Sequence, residues 1–113
     1  AMNYIDAAET LKKWIAALFK GTPEEKPEQY AVSSPISYVE YVSAPILIIQ
    51  GLNDTRTPAR QVRVYEKEMQ KYGKLLEVHW FDAGHLAPFA QVEQAVVYQE
   101  HMLRFANRIL NIV

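Results

Sequence analysis

The sequence contains no cysteine, so neither a disulfide framework nor a thiolate metal site can form. Its three histidines are His79, His85 and His101, and no pair of them has the close spacing of metal ligands. We therefore expect no metal ion and no other cofactor in this protein. Any chemistry has to come from carboxylates, imidazoles, hydroxyls and the cationic side chains.

The sequence also lacks an excess of positive charge and a long apolar run. Lysine and arginine total 12, aspartate and glutamate total 13, and the formal net charge is −1. Because the basic residues are scattered, the electrostatic footprint of a nucleic-acid partner is missing. No apolar stretch approaches the roughly 20 residues of a membrane span, and the first segment is amphipathic rather than a signal peptide. These features predict a cytoplasmic protein that binds neither nucleic acid nor membranes.

The chain has 113 residues, half of them hydrophobic, which predicts a single domain over residues 1–113. The amphipathic pattern of residues 6–20 predicts a helix, with Asp6 and Glu9 spaced as in a capping box. Residues 22–32 hold two prolines and four charges, which predicts a surface connection. Pro35 is predicted to begin a short helix.

From residue 45 onward, strand and helix patterns alternate. Residues 46–49 are apolar on both faces, as in a strand covered by helices on both sides, and residues 75–81 form a second strand pattern. A helix is predicted between these strands, over residues 57–73, and a long helix follows from about residue 89 to 110. This order predicts an α/β fold, with a βαβ unit whose two parallel strands are flanked by helices.

The ends of the two predicted strands carry side chains that could do chemistry. Asp54 follows the first strand, in QGLNDTRTP, and His85 follows the second, in FDAGHLAP. Parallel neighbouring strands bring both loops to one edge of the sheet, where Asp54 and His85 could be neighbours in space. Such an aspartate fixes the tautomer of the histidine and stabilises the imidazolium. The alternative is a turn aspartate and a loop histidine without a joint role, because turns favour aspartate.

Two segments, SPISYVEYVSAPILIIQGLNDTRTPARQ and VHWFDAGHLAPF, resemble the C-terminal end of the prolyl oligopeptidase family. The strongest markers are Gly51-x-x-Asp54-x-Arg56-x-Pro58 and Gly84-His85. The resemblance implies a partial α/β-hydrolase fold and serine peptidase activity. It implies that Asp54 is the triad acid, that His85 is the triad base and that Arg56 contacts the substrate backbone. If the two loops keep their positions in the family, a carboxylate oxygen of Asp54 should lie about 2.6–3.2 Å from His85 Nδ1. The order of aspartate before histidine agrees with α/β-hydrolases, whereas Leu86 follows His85 where many relatives have glycine.

The nucleophile of that family lies in a G-x-S-x-G elbow, and none of the four glycines forms this pattern with a serine. We therefore expect the chain to be the C-terminal part of a hydrolase catalytic domain and to be inactive alone. The substrate of the full-length enzyme would be a peptide or a small acyl compound. Two alternatives stay open: a non-catalytic oligomeric or binding module from a truncated frame, and a fragment of an esterase or thioesterase.

A homodimer is expected as well. The predicted strand from Ile46 to Gln50 has a partner strand on one side only, and the free edge of a short apolar strand recruits partners. Two copies that pair antiparallel along this edge, about a two-fold axis, would form a four-stranded sheet.

Overall fold

The computed structural model describes residues 1–86 and 90–111. Along these residues lie α1 (Met2–Asp6), α2 (Glu9–Phe19), α3 (Pro27–Val32), a 3₁₀ helix (Pro35–Tyr41), β1 (Ile46–Gly51), α4 (Ala59–Lys71), β2 (Leu76–Phe81) and α5 (Val92–Leu110). From β1 onward the order is strand, helix, strand, helix, as predicted. The predicted start of the last helix, at residue 89, lies outside the described residues.

The two strands form one parallel sheet. Ile46 lies opposite Leu76, and Gly51 lies opposite Phe81, so both strands end at the same edge. The predicted βαβ unit with two parallel strands is confirmed. The loops that follow β1 and β2 therefore start side by side.

The helices α4 and α5 cover opposite faces of this sheet. Successive side chains of a strand point to opposite faces. Trp80 of β2 lies beneath the guanidinium of Arg63 in α4, which is 4.6 Å from the ring centre. The next residue, Phe81, instead meets Tyr98 of α5 edge-on, with ring centres 4.5 Å apart. The apolar character of β1 follows from this cover on both sides, whereas β2 also carries Glu77 and His79.

The predicted helix over residues 6–20 is wrong in its first turn. The structure has a separate short α1 and begins α2 at Glu9, with Ala8 as the N-cap residue. The expected capping box does not form, because the Asp6 carboxylate accepts two hydrogen bonds from Arg60 in α4, at 2.7 and 3.0 Å. The Asp6 side chain thus forms a tertiary ion pair instead of the helix cap that the local pattern predicts.

The surface connection predicted over residues 22–32 is also wrong in part, since α3 forms there. Its Tyr30 is buried, stacks on Phe19 with ring centres 4.3 Å apart, and donates a hydrogen bond of 2.9 Å to the Gly21 carbonyl. The tyrosine anchors α3 onto the end of α2. This packing orders a segment whose prolines and charges favour an irregular connection.

The buried core is small. Met69 of α4 and Val39 of the 3₁₀ helix are its fully buried side chains, and Ile15, Tyr30, Ala83 and Tyr98 are the other buried apolar residues. Many large apolar side chains remain at the surface, including Trp14 and Leu18 on α2. Among the helices of the described residues, none has the length and apolarity that a bilayer crossing demands.

Candidate active site

The loops after β1 and β2 are tied to each other directly beyond the strand ends. The Leu52 amide donates to the Phe81 carbonyl at 2.7 Å, and the Asn53 amide donates to the Ala83 carbonyl at 3.1 Å. The Asn53 side chain adds a bond of 2.6 Å to the Asp82 carboxylate. These contacts extend the parallel pairing into the loops, so the position of Asp54 is coupled to that of the loop that carries the histidine.

Gly51 permits this close approach. A Cβ atom on Gly51 would lie 2.3 Å from the Ala83 carbonyl oxygen, which is backbone and cannot swing aside. The first glycine of the Gly51-x-x-Asp54 motif is therefore required by the packing of one loop against the other.

Asp54 organises its own turn through its carboxylate. Oδ1 accepts hydrogen bonds from the amides of Arg56 and Thr57, both at 2.9 Å. Oδ2 accepts a bond of 2.8 Å from the Thr57 hydroxyl. An aspartate that binds amides two and three residues onward is a common turn device, and here it gives the carboxylate a fixed orientation.

His85 completes the arrangement. Its Nδ1 lies 2.9 Å from Asp54 Oδ2, within the predicted distance, so the expected geometry is confirmed. Because an ionised carboxylate only accepts hydrogen bonds, Nδ1 must carry the proton and Nε2 holds the free lone pair. The Asp54 side chain is 7% exposed and the His85 side chain is 39% exposed, so the acid is shielded while the base faces outward.

The environment keeps Asp54 ionised. Burial raises the pKa of this carboxyl, but hydrogen bonds from the Thr57 amide, the His85 ring, the Thr57 hydroxyl and the Arg56 amide outweigh burial. Together they lower the pKa from 3.8 to about 2. Asp54 is thus a carboxylate at neutral pH, and it can stabilise a proton that arrives at Nε2 of the adjacent ring.

An open cleft of about 480 Å³ lies beside the pair. Asp54, Thr57 and His85 line it on the loop side, and Tyr98 and Met102 of α5 line it on the helix side. The cleft joins apolar helix side chains to a polar loop. A reacting group could therefore lie within reach of the imidazole.

Arg56 is placed differently from the other two predicted site residues. Its backbone amide binds Asp54, but its side chain is exposed and forms no hydrogen bond or ion pair with the described residues. The structure brings Asp54 and His85 together and leaves the guanidinium of Arg56 pointing at no described partner.

Two residues of this site were missed by the sequence reasoning. Thr57 binds the carboxylate of Asp54, and the buried Gln50 donates from Nε2 to the Thr57 carbonyl at 2.9 Å and to the Gly51 carbonyl at 3.0 Å. The Asp-x-x-Thr spacing was a signal that could have identified Thr57, because a hydroxyl three residues after a turn aspartate can reach its carboxylate. No comparable signal in the sequence identifies Gln50, because its position fits the strand pattern alone.

The other two histidines lie elsewhere, between β2 and α5. His79 binds the Glu77 carboxylate at 2.7 Å, and its ring stacks against His101 with centres 3.8 Å apart. The bond from His79, with that from Arg108, lowers the pKa of Glu77 against the effect of burial. Over residues 1–86 and 90–111, no three histidine or acidic side chains are placed to hold a metal ion.

Comparison with known proteins gives a family match over almost the whole chain. A sequence model of the prolyl oligopeptidase family matches residues 2–112. The uncharacterized peptidase YtmA of Bacillus subtilis (strain 168) is 25% identical over 73 residues, which is 65% of this chain and 28% of that protein.

Solved structures share the fold. An acylaminoacyl peptidase in complex with Z-Gly-Gly-Phe-chloromethyl ketone has a TM-score of 0.80 at 24% identity, over 96% of this chain and 18% of that one. The acylaminoacyl peptidase of Pyrococcus horikoshii has a TM-score of 0.70 at 24% identity, over 79% of this chain and 15% of that one. A Pyrococcus furiosus esterase has a TM-score of 0.55 at 17% identity, over 86% of this chain and 35% of that one. The chain therefore has an α/β-hydrolase-type fold and spans a minor part of the length of each relative.

Proposed function

The chain belongs to the prolyl oligopeptidase family, and from this premise we propose that it carries the acid and the base of a serine-peptidase active site. Asp54 is the acid that orients the imidazole, and His85 is the general base. The observation that carries this proposal is the bond of 2.9 Å between His85 Nδ1 and the shielded, ionised Asp54. Three of the four hydrogen bonds on this carboxylate come from its own turn, so the bond from His85 is the contact that favours a joint role.

The geometry supports a specific proton path. The bond to Asp54 keeps the proton on Nδ1, so the Nε2 lone pair can take the proton of a serine hydroxyl as that oxygen attacks a carbonyl carbon. The imidazolium that forms is stabilised by the carboxylate of Asp54. It then returns the proton to the leaving amine, which restores the neutral ring.

The nucleophile, in this proposal, comes from protein sequence that these 113 residues do not contain. No serine here lies in a G-x-S-x-G pattern, and two of the four bind the backbone: Ser34 Oγ donates to Tyr30 O at 2.6 Å and Ser37 Oγ donates to Ala31 O at 2.7 Å. The chain alone would then be inactive. The substrate would be a peptide or a small acyl compound. The guanidinium of Arg56, which has no partner among residues 1–86 and 90–111, would be available to its carbonyl groups.

The first test is labelling of the 113-residue chain with a fluorophosphonate probe, which reacts with activated serines. We expect no labelling, because in this proposal the serine hydroxyl and the oxyanion hole both belong to sequence outside these 113 residues. Stoichiometric labelling at any serine would contradict the proposal; the candidates are Ser33, Ser34, Ser37 and Ser43.

The second arm uses the longer gene product, extended upstream until it includes a G-x-S-x-G segment. Asp54→Asn should lower kcat by roughly 10⁴-fold, and His85→Gln by roughly 10⁶-fold, as loss of the triad histidine does. His79→Gln is the matched control and should retain activity, since His79 lies outside the site. An anilide of an acylated amino acid and a simple ester, assayed in parallel, separate peptidase from esterase activity. Unchanged hydrolysis by the His85 variant would rule out the assigned base.

A further inference from the structure

Three groups of Thr57, its amide, its hydroxyl and its carbonyl, hold it beside the acid–base pair by hydrogen bonds. Its amide donates to Asp54 Oδ1 at 2.9 Å, and its hydroxyl donates to Oδ2 at 2.8 Å. Its carbonyl accepts a bond of 2.9 Å from the buried Gln50. The same hydroxyl oxygen lies 3.4 Å from His85 Nδ1, so it adjoins both members of the pair.

These contacts use all the acceptor positions of the Asp54 carboxylate. Oδ1 receives two amides, and Oδ2 receives the Thr57 hydroxyl and His85 Nδ1. Each carboxylate oxygen accepts about two hydrogen bonds. The Thr57 hydroxyl occupies one of the two acceptor positions of Oδ2, and the other position faces the His85 imidazole.

We propose that the Thr57 side chain is a positioning residue, whose hydroxyl orients the Asp54 carboxylate so that Oδ2 binds His85 Nδ1. It touches no reacting atom and acts through Asp54. The inference rests on the function proposed above, because orientation of the pair matters only if His85 works as a base. The backbone of Thr57 supports the turn in any variant, whereas the hydroxyl serves the pair.

Valine and serine at this position separate the hydroxyl from the rest of the side chain. Thr57→Val keeps the volume and the backbone bonds but puts a methyl group where the hydroxyl was. Oδ2 then loses the Thr57 hydroxyl and keeps His85 Nδ1 as its donor within the chain. Thr57→Ser keeps the hydroxyl and removes only the methyl group. The two variants should therefore affect the ionisation of Asp54 in different ways.

The test is an NMR titration of the Asp54 side-chain carboxyl carbon in the 113-residue chain. Loss of a hydrogen bond to a charged group should raise the midpoint by about one pH unit in Thr57→Val, and Thr57→Ser should titrate like the unchanged chain. A folded Thr57→Val variant with an unchanged midpoint would overturn the proposal. If the valine variant does not fold, the serine variant decides, because a raised midpoint with the hydroxyl present would show that the hydroxyl is not responsible.

This measurement needs no hydrolysis, so it is independent of the test of the proposed function. Active Asp54 and His85 variants of the longer protein would reject the acid–base assignment and leave the titration result standing. An unchanged midpoint in folded Thr57→Val would reject the role of Thr57 and leave the acid–base assignment standing.

Discussion

At the scale of single residues, Asp54 serves the turn and the candidate site with one carboxylate. Oδ1 binds two amides of its own turn, and Oδ2 faces His85. The two interpretations open from the sequence, a turn aspartate and the partner of a histidine, are therefore compatible in geometry. The turn gives the carboxylate the orientation that the partnership needs.

The low pKa of Asp54 predicts how stability depends on pH. The carboxyl titrates at about 2 in the fold and at 3.8 as an unperturbed group, so the unfolded chain binds the proton first as pH falls. The ionised Asp54 carboxylate therefore adds about 2 kcal/mol to the free energy of unfolding. This contribution is fully present above about pH 4 and is lost as pH falls through about 2. The measurement is the free energy of unfolding in urea, from pH 7 down to pH 2.

Asp54→Asn is the control for this pH dependence. An asparagine cannot ionise, so its variant should be the less stable at pH 7, and the gap to the unchanged chain should close as pH falls from 4 to 2. A gap that stays constant over this range would show that the ionised carboxylate contributes no stability.

At the scale of elements, the site depends on how closely the loop after β1 approaches the loop after β2. The strands end in register, and backbone hydrogen bonds from Leu52 and Asn53 continue the contact. The lack of a side chain on Gly51 permits it. A motif glycine and a motif aspartate three residues apart therefore have distinct tasks, one steric and one chemical.

Gly51→Ala should separate these loops. Its new methyl group would lie 2.3 Å from the Ala83 carbonyl oxygen, and such overpacking costs roughly 1–3 kcal/mol. The expected result is a lower free energy of unfolding in urea, together with a weaker hydrogen bond between Asp54 and His85, as observed by NMR.

Gly84→Ala is the matched control, because Gly84 lies in the same pair of loops and beside His85. A Cβ at Gly84 would meet its nearest atom, the Asn53 carbonyl oxygen, at 3.9 Å, an ordinary contact. Stability should therefore change by less than about 0.5 kcal/mol. Equal losses in both variants would show that general loop rigidity, and not the approach at Gly51, controls the site.

At the scale of the whole molecule, the chain is more extended than an isolated domain of its size. Its radius of gyration is 16.2 Å, against about 13 Å for a compact domain of this length. Its accessible surface is 8036 Å², against about 6,300 Å² for a folded monomer of this mass. The excess includes exposed apolar side chains of α5, such as Val92, Val96, Leu103 and Leu110. This surface is suited to contact with more protein.

The homodimer expected from the sequence stays a prediction, and the structure identifies the atoms that would test it. The amides of Ile46 and Leu52 bond toward β2, so in a parallel strand the amides of Leu47 and Ile49 point the other way. In the described part of the chain no further strand lies on that side. An antiparallel pairing of two β1 strands would satisfy these groups.

Light scattering at micromolar to millimolar concentration should give twice the monomer mass of 13.0 kDa. Hydrogen exchange should slow at Leu47 and Ile49 as concentration rises, whereas Ile48, which already faces β2, should be protected throughout. A well-folded monomer at all concentrations would contradict the prediction. A dimer with fast exchange at Leu47 and Ile49 would contradict the proposed edge.

Sequence patterns were enough to predict the elements from β1 onward, and the resemblance to the prolyl oligopeptidase family was needed to favour a joint role of Asp54 and His85. Apolar runs of strand length, separated by helical patterns, specify a βαβ unit, because buried strands and amphipathic helices have different periods. A parallel sheet then brings the two strand ends together whatever the rest of the chain does. Local patterns and one topological rule therefore predict where the two loops lie, whereas the joint role of their side chains came from the family resemblance.

Tertiary packing, in contrast, set the partner of Asp6, the helix around Tyr30, and the hydrogen-bond geometry of Thr57 and Gln50. Asp6 binds Arg60, 54 residues away, and α3 is ordered by the packing of Tyr30 on Phe19. Thr57 and Gln50 act through hydrogen bonds whose geometry depends on the folded turn. Local propensity is worth a few tenths of a kcal/mol per residue. Burial of an aromatic ring or a charged hydrogen bond is worth more, so tertiary contacts override local preference at these positions.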